Sequence, residues 1–339
     1  MGVGGAETML VDIANGQVAC GHRVSILVIN DIENKDLMAK FDPRIKISSF
    51  HRKEGDKPLL LMLKLNMLVL LRRPDMVHIH NHKLCALIRV RRRRHLLFTV
   101  HDVHMPLLYA RGTNMAAITD AVRNDVLKRV PKAKIRTVLN GIRIADIIRR
   151  IAGEPTGVVK LVQVARLAYE KKGQDVLIKA VGLLHRRGID NVEVTFIGGG
   201  YDEHYLRDLA HSEGIDECVK FAGMRDRNYI YNHLCDFDAM CHPSRYEGFG
   251  LTVAEGMAAG LPLIVTEGDG PWEVADHGRL CISVPNGDAE ALADAIVSLM
   301  ENRSEAQARA AEALDYVQRF DISRTVEDYE RYYREIIGR

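Results

Sequence analysis

Clustered cysteines are absent from this sequence. Its six cysteines are scattered, with no Cys-x-x-Cys pair and no histidine–cysteine group at the spacing of a zinc site. This pattern excludes a disulfide-stapled scaffold and predicts reduced thiols in a reducing compartment. The first residues are not a basic segment followed by an apolar one, so we expect no secretory signal. We therefore expect a cytoplasmic protein that binds no metal.

A hydrophobic run long enough to cross a membrane is also lacking. The longest apolar run covers residues 59–71 and is interrupted by Lys64 and Asn66, whereas a membrane-spanning helix needs about 20 apolar residues. Aromatic residues make up only 6% of the chain, and no zinc-finger, helix-turn-helix or RNA-recognition signature is present. We therefore expect neither a spanning helix nor a nucleic-acid partner.

What the sequence does contain is the composition of a soluble globular protein, with 47% hydrophobic and 27% charged residues. Its 339 residues predict two domains. The net charge of +2 conceals an asymmetry, because residues 1–150 hold 27 Lys and Arg against 13 Asp and Glu, whereas the remainder holds 20 against 32. The two halves are expected to face different partners, and the first should meet something anionic.

Short β-type apolar runs alternate with amphipathic helical stretches, which predicts α/β units with parallel sheets. In the first half the predicted strands are 24–30, 45–50, 77–80, 96–100, 116–119 and 135–139, and the predicted helices are 7–20, 58–72, 82–89 and 121–130. The poorly patterned residues 143–157 mark a domain boundary. We therefore predict a first domain over residues 1–150 and a second over 151–319, with a helix at about 320–339 packing back on the first.

The second half repeats the alternation. Its predicted strands are 159–164, 192–197, 219–221, 237–241, 263–265 and 280–284, and its predicted helices are 174–187, 202–212, 228–234, 251–259, 272–276, 289–300, 304–319 and 324–337. This order predicts two doubly wound α/β domains facing across a cleft. In such sheets, ligands bind outside the carboxyl ends of the strands.

The most informative segment covers residues 244–260, SRYEGFGLTVAEGMAAG, and leads from a predicted strand into a helix. Gly248 and Gly250 leave the loop without side chains, so the backbone N–H groups at the helix N-terminus can bind a phosphate. Glu247 and Glu255 bracket this N-terminus and, since like charges repel, are better suited to accept hydrogen bonds from sugar hydroxyls. The alternative is a surface turn with solvated glutamates. Against that alternative, tight helix–sheet packing is predicted by the small residues Ala254, Gly256, Ala258 and Ala259.

A basic loop directly follows the first predicted strand of the second domain. Arg166 and Lys172 lie six residues apart in this loop. They can converge on one diphosphate, Arg166 as a bidentate fork and Lys172 as a point charge. The alternative is a hydrated basic loop, but the surrounding domain is acidic, which favours ligand binding.

These motifs resemble those of the retaining GT-B glycosyltransferases of family 4, the group 1 glycosyltransferases. The hallmark of that family, two glutamates separated by seven residues, is Glu247 to Glu255. The basic pair matches Arg166 and Lys172, and the resemblance extends in order over essentially the whole chain. Further matches are the glycine loop Gly4-Gly5, the histidine His101 and the junction Asn140-Gly141.

The resemblance implies an enzyme that transfers a hexose or N-acetylhexosamine from a nucleotide-diphosphate sugar, expected to be a UDP-sugar, to a glycan or polyprenyl-linked acceptor in surface polysaccharide synthesis. The second of two Rossmann-like domains would hold the donor and the first the acceptor, with neither a metal nor another cofactor. Arg166 and Lys172 would neutralise charge on the departing nucleoside diphosphate. Glu255 would accept hydrogen bonds from the ribose, Glu247 would lie by the donor sugar, and His101 would lie near the reacting sugar. The implied catalytic set is His101, Glu247, Arg166 and Lys172, and the implied donor-binding set is Gly4, Gly5, Arg166, Lys172, Gly248, Phe249, Gly250, Leu251, Thr252 and Glu255.

Two other motifs have competing interpretations. The stretch His78-Ile-His80-Asn-His82 could hold a metal, but we favour hydrogen-bonded core positions or a strand end at the cleft, with His78 and His80 on one face of a strand. The triplet Gly198-Gly199-Gly200 follows a strand but lacks the spaced third glycine of a dinucleotide loop. It therefore predicts a turn near the nucleotide.

The first half also carries two features that suit a membrane surface, namely the arginine-rich residues 89–95 and the apolar residues 59–71. Clustered Lys and Arg near anionic lipid contribute about 1 kcal/mol each. We expect peripheral contact of this domain with the inner face of the cell membrane. The alternative is a solvated helix end next to an ordinary core helix.

The sequence departs from the family pattern at its start. Family members place a central strand before the glycine loop, and only Met1-Gly-Val precedes it here. Loss of about four or five buried apolar residues would remove roughly 1.5–3 kcal/mol each. We therefore expect either a natural start upstream or a destabilised first domain. A non-catalytic sugar-nucleotide-binding protein is one alternative to the transferase, and a sugar-nucleotide epimerase of the same fold is another.

Overall fold

The computed structural model describes residues 4–30, 34–52, 58–88, 95–107, 112–151 and 157–338. Two compact units divide the chain, the first comprising Met1–Ile142 and Phe320–Arg339 and the second Arg143–Arg319. Residues 89–94 of the arginine-rich stretch lie outside the described residues. All six cysteines are free thiols.

The first unit ends before the predicted boundary at residue 150. The backbone N–H of Ile148 donates to Tyr231 O at 3.0 Å, and that of Arg150 donates to Ala259 O at 2.8 Å. The Arg150 guanidinium also pairs with Asp238 at 2.7 Å. Because backbone polar groups need partners, these bonds attach the connection to the second unit.

The first unit alternates helices and strands. In chain order it contains α1 (Gly5–Ala19), β1 (Ser25–Asn30), α2 (Lys35–Met38), β2 (Lys46–Arg52), α3 (Pro58–Arg72), β3 (Val77–Ile79), α4 (Leu84–Leu87), β4 (Leu96–Val100), β5 (Asn114–Ala117), α5 (Asp120–Arg129) and β6 (Ile135–Thr137). No helix among the described residues is long and apolar enough to cross a bilayer.

The parallel strands of the first unit form two sheets. β1 pairs with β2, with Ser25 opposite Lys46, and β3, β4, β5 and β6 form a four-stranded sheet in that order. The sheet predicted for the first domain is therefore divided between β1 and β3 within the described residues. Every residue of β4 is buried, as expected for a parallel strand covered on both faces.

Two local predictions in this unit are corrected. The strand predicted over 116–119 lies at Asn114–Ala117, because Thr119 instead caps α5 and its hydroxyl oxygen accepts a hydrogen bond from Val122 N. The helix predicted over 82–89 is limited to Leu84–Leu87, because the backbone turns to an extended conformation at Ile88.

The second unit contains one continuous parallel sheet. Its elements are β7 (Val159–Val164), α6 (Tyr169–Lys172), α7 (Gln174–Arg186), β8 (Val192–Ile197), α8 (Glu203–Ser212), β9 (Val219–Gly223), α9 (Arg227–His233), β10 (Ala239–His242), α10 (Leu251–Ala258), β11 (Leu263–Thr266), α11 (Gly270–Val274), β12 (Ile282–Val284), α12 (Ala289–Glu301) and α13 (Arg303–Tyr316). The strand order is β12-β11-β10-β7-β8-β9. This is the order of a doubly wound sheet, with helices on both faces.

The last helix, α14 (Ile322–Ile337), belongs to the first unit. Near its start, the Thr325 hydroxyl donates to Leu139 O at 2.9 Å. Further along, Tyr329 is fully buried and the Tyr332 hydroxyl donates to Met115 O at 3.1 Å. The end of the chain therefore completes the core of the first unit.

Candidate functional site

The candidate site lies where the strand order of the second unit reverses. β7 and β10 are neighbours in the sheet, but the chain continues from β7 to β8 on one side and from β10 to β11 on the other. In open α/β sheets such a switch point forms a crevice outside the carboxyl ends of the strands. Arg166 and Lys172 lie in the segment after β7 (residues 165–173), which includes the short helix α6, and Glu247 lies in the segment after β10 (residues 243–250). We call these two segments the loops after β7 and β10.

These two loops are in direct contact. Arg245 N donates to Lys171 O at 2.9 Å, and the Arg245 guanidinium donates two hydrogen bonds to the Asp175 carboxylate at 2.8 and 2.7 Å. Gly173 lies at the contact with a φ of 67°, and a Cβ there would stand 2.0 Å from Pro243 O. Glycine is therefore required by the backbone conformation and by the close approach of the loops.

A three-residue cluster of Lys172, Glu247 and His242 lies between the loops. Lys172 Nζ is 2.7 Å from Glu247 Oε1, and His242 Nε2 is 2.7 Å from Glu247 Oε2. Burial by itself would raise the pKa of Glu247, but the Lys172 ammonium and the His242 ring outweigh it and hold that pKa well below its usual range. Glu247 is therefore an ionised carboxylate at neutral pH, and each of its oxygens has a donor.

His242 is the buried member of this cluster. Since an ionised carboxylate only accepts hydrogen bonds, the bond to Glu247 requires a proton on His242 Nε2. Thr252 Oγ1 lies 3.4 Å from His242 Nδ1 and Ser244 Oγ lies 3.1 Å from His242 Nε2. His242 therefore connects Glu247 with the first turn of α10.

The N-terminus of α10 faces the same loop. Gly250 is its N-cap, with a φ of 84°, and a Cβ there would stand 2.9 Å from Pro271 Cγ. A Cβ on Gly270 would likewise stand 2.2 Å from Gly248 O. The first N–H groups of a helix lack acceptors within the helix. Here they follow a loop in which Gly248 and Gly250 have no side chains and pack closely against Gly270 and Pro271. This arrangement is suited to binding an anion.

Glu255 and Gly256 follow on α10. Glu255 is buried, with 9% of its surface exposed. A Cβ on Gly256 would stand 2.8 Å from Met240 Sδ on the adjacent strand β10. The tight helix–sheet packing predicted from the small residues of this segment is thus confirmed.

Arg166 lies in the loop after β7, and its side chain is exposed. Gln174 Nε2 donates to Arg166 O at 2.9 Å, and a Cβ on Gly198 would stand 2.0 Å from Ala165 O. The predicted glycine turn is therefore packed against this loop and supports its backbone. The Arg166 guanidinium makes no ion pair or hydrogen bond with any residue that the structure describes, so of the predicted basic pair only Lys172 is held by a partner, Glu247.

The remaining predicted residues belong to the first unit. His101 directly follows β4, and His80 directly follows β3. His80 Nδ1 and His101 Nε2 are 3.0 Å apart, and the two rings stack with centroids 5.2 Å apart. Burial lowers the pKa of His101 to about 4 and holds the pKa of His80 well below its usual range. Both rings are neutral at pH 7, and one of them donates to the other.

His78 is held from both ring nitrogens. Nδ1 is 2.7 Å from the Tyr333 hydroxyl, and Nε2 is 2.6 Å from Thr99 Oγ1, which in turn is 3.0 Å from the Tyr329 hydroxyl. Burial, with a smaller contribution from His101, lowers the pKa of His78 to about 3. The histidine stretch thus has the hydrogen-bonded positions that we favoured from the sequence. Within the described ranges no group of three side chains could hold a metal ion.

Gly4 and Gly5 lie at the start of α1, where Gly4 is the N-cap and the Thr8 hydroxyl donates to Gly4 O at 2.9 Å. These glycines and His101 belong to the first unit, whereas Lys172 and Glu247 belong to the second.

His242 was not predicted as a site residue. The signal that could have identified it is a titratable side chain directly after the predicted strand 237–241, before Pro243-Ser244 and five residues ahead of Glu247. The Arg245–Asp175 pair was also not predicted, because 70 residues separate its members in the chain.

Models of two protein families together match nearly the whole chain. The family described as Glycosyl transferases group 1 matches residues 145–314, and the one described as Glycosyltransferase Family 4 matches residues 3–146. The first match spans half of the chain and contains Lys172, Glu247 and Glu255.

Individual relatives are glycosyltransferases as well. The amylovoran biosynthesis glycosyltransferase AmsK of Erwinia amylovora is 29% identical over 220 residues, which are 63% of this chain and 53% of that protein. The phosphatidyl-myo-inositol mannosyltransferase of Mycobacterium leprae is 28% identical over 224 residues, which are 65% of this chain and 58% of that protein. This chain thus spans about half the length of the relatives that it matches.

The fold is shared with solved glycosyltransferases. The structure of HepE from Anabaena in complex with UDP and glucose is similar, with a TM-score of 0.80 and 21% identity, over 97% of this chain and 95% of that one. WaaG, a glycosyltransferase of lipopolysaccharide biosynthesis, is similar with a TM-score of 0.76 and 16% identity, over 100% of this chain and 98% of that one. With the family matches, this likeness establishes that the chain belongs to glycosyltransferase family 4, the group 1 glycosyltransferases, and has their GT-B fold.

Proposed function

We propose that this chain is a retaining glycosyltransferase that moves a hexose or N-acetylhexosamine from a UDP-sugar to a glycan or lipid-linked glycan acceptor. The observation that carries the proposal is the cluster of Lys172, Glu247 and His242 beside the N-terminus of α10. It combines a fixed cation, an ionised carboxylate and backbone N–H groups at one switch point. A nucleotide-diphosphate sugar offers a diphosphate to the cation and the N–H groups, and hydroxyl groups to the carboxylate.

Lys172 and Arg166 would assist the step in which the nucleoside diphosphate departs. Cleavage of the bond to the donor sugar leaves negative charge on the diphosphate, and Lys172, Arg166 and the N–H groups of α10 would stabilise it. Because Glu247 holds the Lys172 ammonium at 2.7 Å, that cation is oriented before the donor binds. These groups perform the charge neutralisation that a metal ion performs elsewhere, so we propose a metal-independent reaction.

The two glutamates would bind hydroxyl groups of the donor. Glu247 is ionised, so it accepts hydrogen bonds and cannot deliver a proton. Each carboxylate oxygen of Glu247 already accepts a hydrogen bond, from Lys172 or from His242. Each also has a second lone pair, which could accept a hydrogen bond from a hydroxyl of the donor sugar. Glu255, the fifth residue of α10, would accept hydrogen bonds from the ribose. We assign no nucleophilic role to Glu247.

The choice of UDP and of the acceptor class rests on relatives. HepE has been solved with UDP and with UDP-glucose, and the relative AmsK is named for amylovoran biosynthesis. In the first unit, the neutral His101 ring would lie near the reacting sugar and could accept a hydrogen bond from a hydroxyl.

We also propose that the first unit contacts an anionic membrane surface on the cytoplasmic side, where polyprenyl-linked acceptors are embedded. The excess of Lys and Arg in residues 1–150 supports this contact. The proposed contact is peripheral, and surface charge contributes to it.

The donor is tested first by thermal shift against UDP, GDP, ADP and dTDP, because a bound nucleotide raises the melting temperature by mass action. We expect UDP to give the largest shift. The protein is then incubated with UDP-sugars and glycan acceptors, with and without EDTA, and the anomeric configuration of the product is determined by NMR. A product with the donor's configuration, formed equally in EDTA, is expected.

Three outcomes contradict the proposal. If none of the four nucleotides raised the melting temperature, the proposed donor site would be contradicted. UDP binding without transfer to any glycan acceptor would identify a non-catalytic sugar-nucleotide-binding protein. Interconversion of UDP-sugars without an acceptor would identify an epimerase.

A further inference from the structure

Helix α3 exposes an unusual amount of apolar surface. Six large apolar side chains on this one helix are between 55% and 73% exposed, and they make up half of the large exposed hydrophobic residues that the structure describes. Scattered single residues of this kind are common on protein surfaces, whereas a contiguous patch marks an interaction site. These six residues, named here the α3 outer face, are Leu59, Leu60, Leu63, Met67, Leu70 and Leu71.

The outer face forms one continuous stripe. At about 100° per residue, its six positions fall within an arc of roughly 120° around the helix axis. The opposite side of α3 is buried through Leu61, Leu65 and Val69. Asn66 Nδ2 also donates to Leu87 O at 2.8 Å, which ties α3 to α4. The inner side therefore attaches the helix to the first unit, and the outer face has no role in that packing.

The charged residues on α3 and directly after it are positive. Lys64 and Arg72 are the only charged residues of α3, and Arg73 follows directly. Lys64 and Arg73 are exposed near the two edges of the outer face. Arg72 lies on the inner side of the helix, where its guanidinium donates to Ser48 Oγ at 3.0 Å. An apolar stripe bordered by Lys and Arg is the arrangement of a helix that lies in the plane of a membrane interface. A second copy of this chain would instead bring two such basic borders together, which charge repulsion opposes.

We propose that the α3 outer face inserts into the interface of an anionic lipid membrane, with α3 parallel to the membrane plane and Lys64 and Arg73 at the level of the lipid phosphates. This inference rests on the peripheral contact proposed above and adds to it the inserting element and a hydrophobic contribution. Attraction by charge alone is screened by salt, whereas burial of leucine side chains is not. The two contributions can therefore be separated.

The test is flotation with vesicles of phosphatidylglycerol and phosphatidylcholine, using the full chain. The variant pair Leu63→Asp with Met67→Asp removes two residues of the outer face. The matched control, Ile148→Asp with Ile151→Asp, introduces the same charge at two exposed apolar residues of the second unit, which are 50% and 91% exposed. We expect vesicle partitioning of the α3 variant to fall about tenfold or more, and that of the control to stay within about twofold of the wild type.

Salt and fluorescence give two further measurements. The wild-type chain should retain part of its vesicle binding at 0.5 M NaCl, where the Debye length is only a few ångströms. In a Met67→Trp variant, the added tryptophan should shift to the blue on vesicle binding and be quenched by brominated lipid acyl chains. Trp272, the single native tryptophan, lies in the second unit, and the wild-type spectrum serves as the background.

Several results would overturn the inference. These are absence of wild-type binding to the vesicles, equal losses in both variant pairs, complete loss of binding in salt, or an unquenched tryptophan at position 67. Sedimentation showing a dimer that Leu63→Asp with Met67→Asp dissociates, without vesicle binding, would assign the outer face to a second copy. Both variant pairs should retain the thermal shift with UDP, so a chain that inserts but binds no nucleotide would contradict the proposed sugar transfer alone.

Discussion

The polar side chains near the strand ends are stabilised differently in the two units, by ion pairs in the second unit and by hydrogen bonds between neutral rings in the first. In the second unit the side chains are charged and paired, as in Lys172 with Glu247 and Arg245 with Asp175. In the first unit the corresponding side chains are the neutral histidines His80 and His101, which hydrogen-bond to each other.

This difference shows that burial can be tolerated either by pairing a charge or by removing it. Pairing keeps the pKa of Glu247 low despite its burial, whereas the same effect of burial removes the proton from His101. Under the proposed function, the second unit would neutralise and orient an anionic donor. The first unit, although rich in Lys and Arg, would offer uncharged hydrogen-bonding groups to hydroxyls of an acceptor.

Among the changes that test this difference between the units, removal of the Lys172 ammonium should have the largest effect on activity. We expect Lys172→Ala to lower kcat/KM for sugar transfer by roughly 10³-fold, because a cation at the developing diphosphate charge is lost and Glu247 loses one of its two partners. The matched control is Lys171→Ala, which makes the same charge change at the neighbouring residue and should cost only a few-fold. Similar losses in steady-state assays of both variants would show that general basicity, and not the cluster, supports the reaction.

Gly173 tests the contact between the two loops of the second unit. We expect Gly173→Ala to lower the free energy of unfolding by roughly 3 kcal/mol, because a Cβ would meet Pro243 O in addition to the unfavourable φ. Gly188→Ala has a similar φ of 78° but no atom within 4 Å, so we expect it to cost only about 1 kcal/mol. The measurement is urea denaturation followed by Trp272 fluorescence, which reports unfolding of the second unit. Equal losses of stability in the two variants would contradict the close contact between Gly173 and Pro243.

Acid should weaken the first unit before the second. The histidine pKa values of about 3 for His78 and about 4 for His101 lie below the 6.5 of an unfolded histidine. Between those limits the unfolded chain binds more protons, so stability is full above pH 6.5 and falls by about 1.4 kcal/mol per pH unit for each histidine as pH drops toward 4. Glu247, whose pKa is lowered from 4.5, contributes stability that is lost only at more acidic pH.

The measurement is hydrogen exchange with mass spectrometry at pH 7 and pH 5, corrected for intrinsic rates. Peptides from β3 and β4 should exchange faster at pH 5, while those from β7 and β10 change little. Earlier loss of protection in β7 and β10 would contradict the neutral state of the buried histidines.

The smallest expected effect concerns His242, which positions Glu247. We expect His242→Leu to lower kcat about 10- to 100-fold with little change in donor KM, because Glu247 loses the donor that fixes its orientation. His242→Gln keeps an N–H donor near the same place and should recover most of the activity. Failure of the glutamine to exceed the leucine variant in kcat would indicate that His242 acts through packing alone.

Much of the fold was predictable where one strong pattern dominated. The limits of β4, β7, β8 and α3 agree with the predictions, because apolar residues that dominate a segment or recur at strand or helix spacing define an element without reference to the rest of the chain. Thr119 was misassigned to a strand because its side chain suits both a strand and an N-cap, and only the bond to Val122 N distinguishes them.

The site was predictable as residues but not as contacts. Glu247, Glu255, Arg166 and Lys172 were identified from local motifs, and the roles assigned to them stay predictions. The ion pair of Lys172 with Glu247 joins residues 75 positions apart in the chain, and no local pattern encodes which loops meet.

By itself, the sequence determined the alternation of strands and helices, the family and the two charged halves, since each follows from composition or from neighbours in the chain. The tertiary structure alone decided three further features: the meeting of the loops after β7 and β10, the contacts of His242 with Glu247 and Thr252, and which side of α3 stays uncovered. The physical reason is that pairing, burial and the resulting pKa values depend on residues brought together through space, and those neighbours exist only after the sheets and helices have packed.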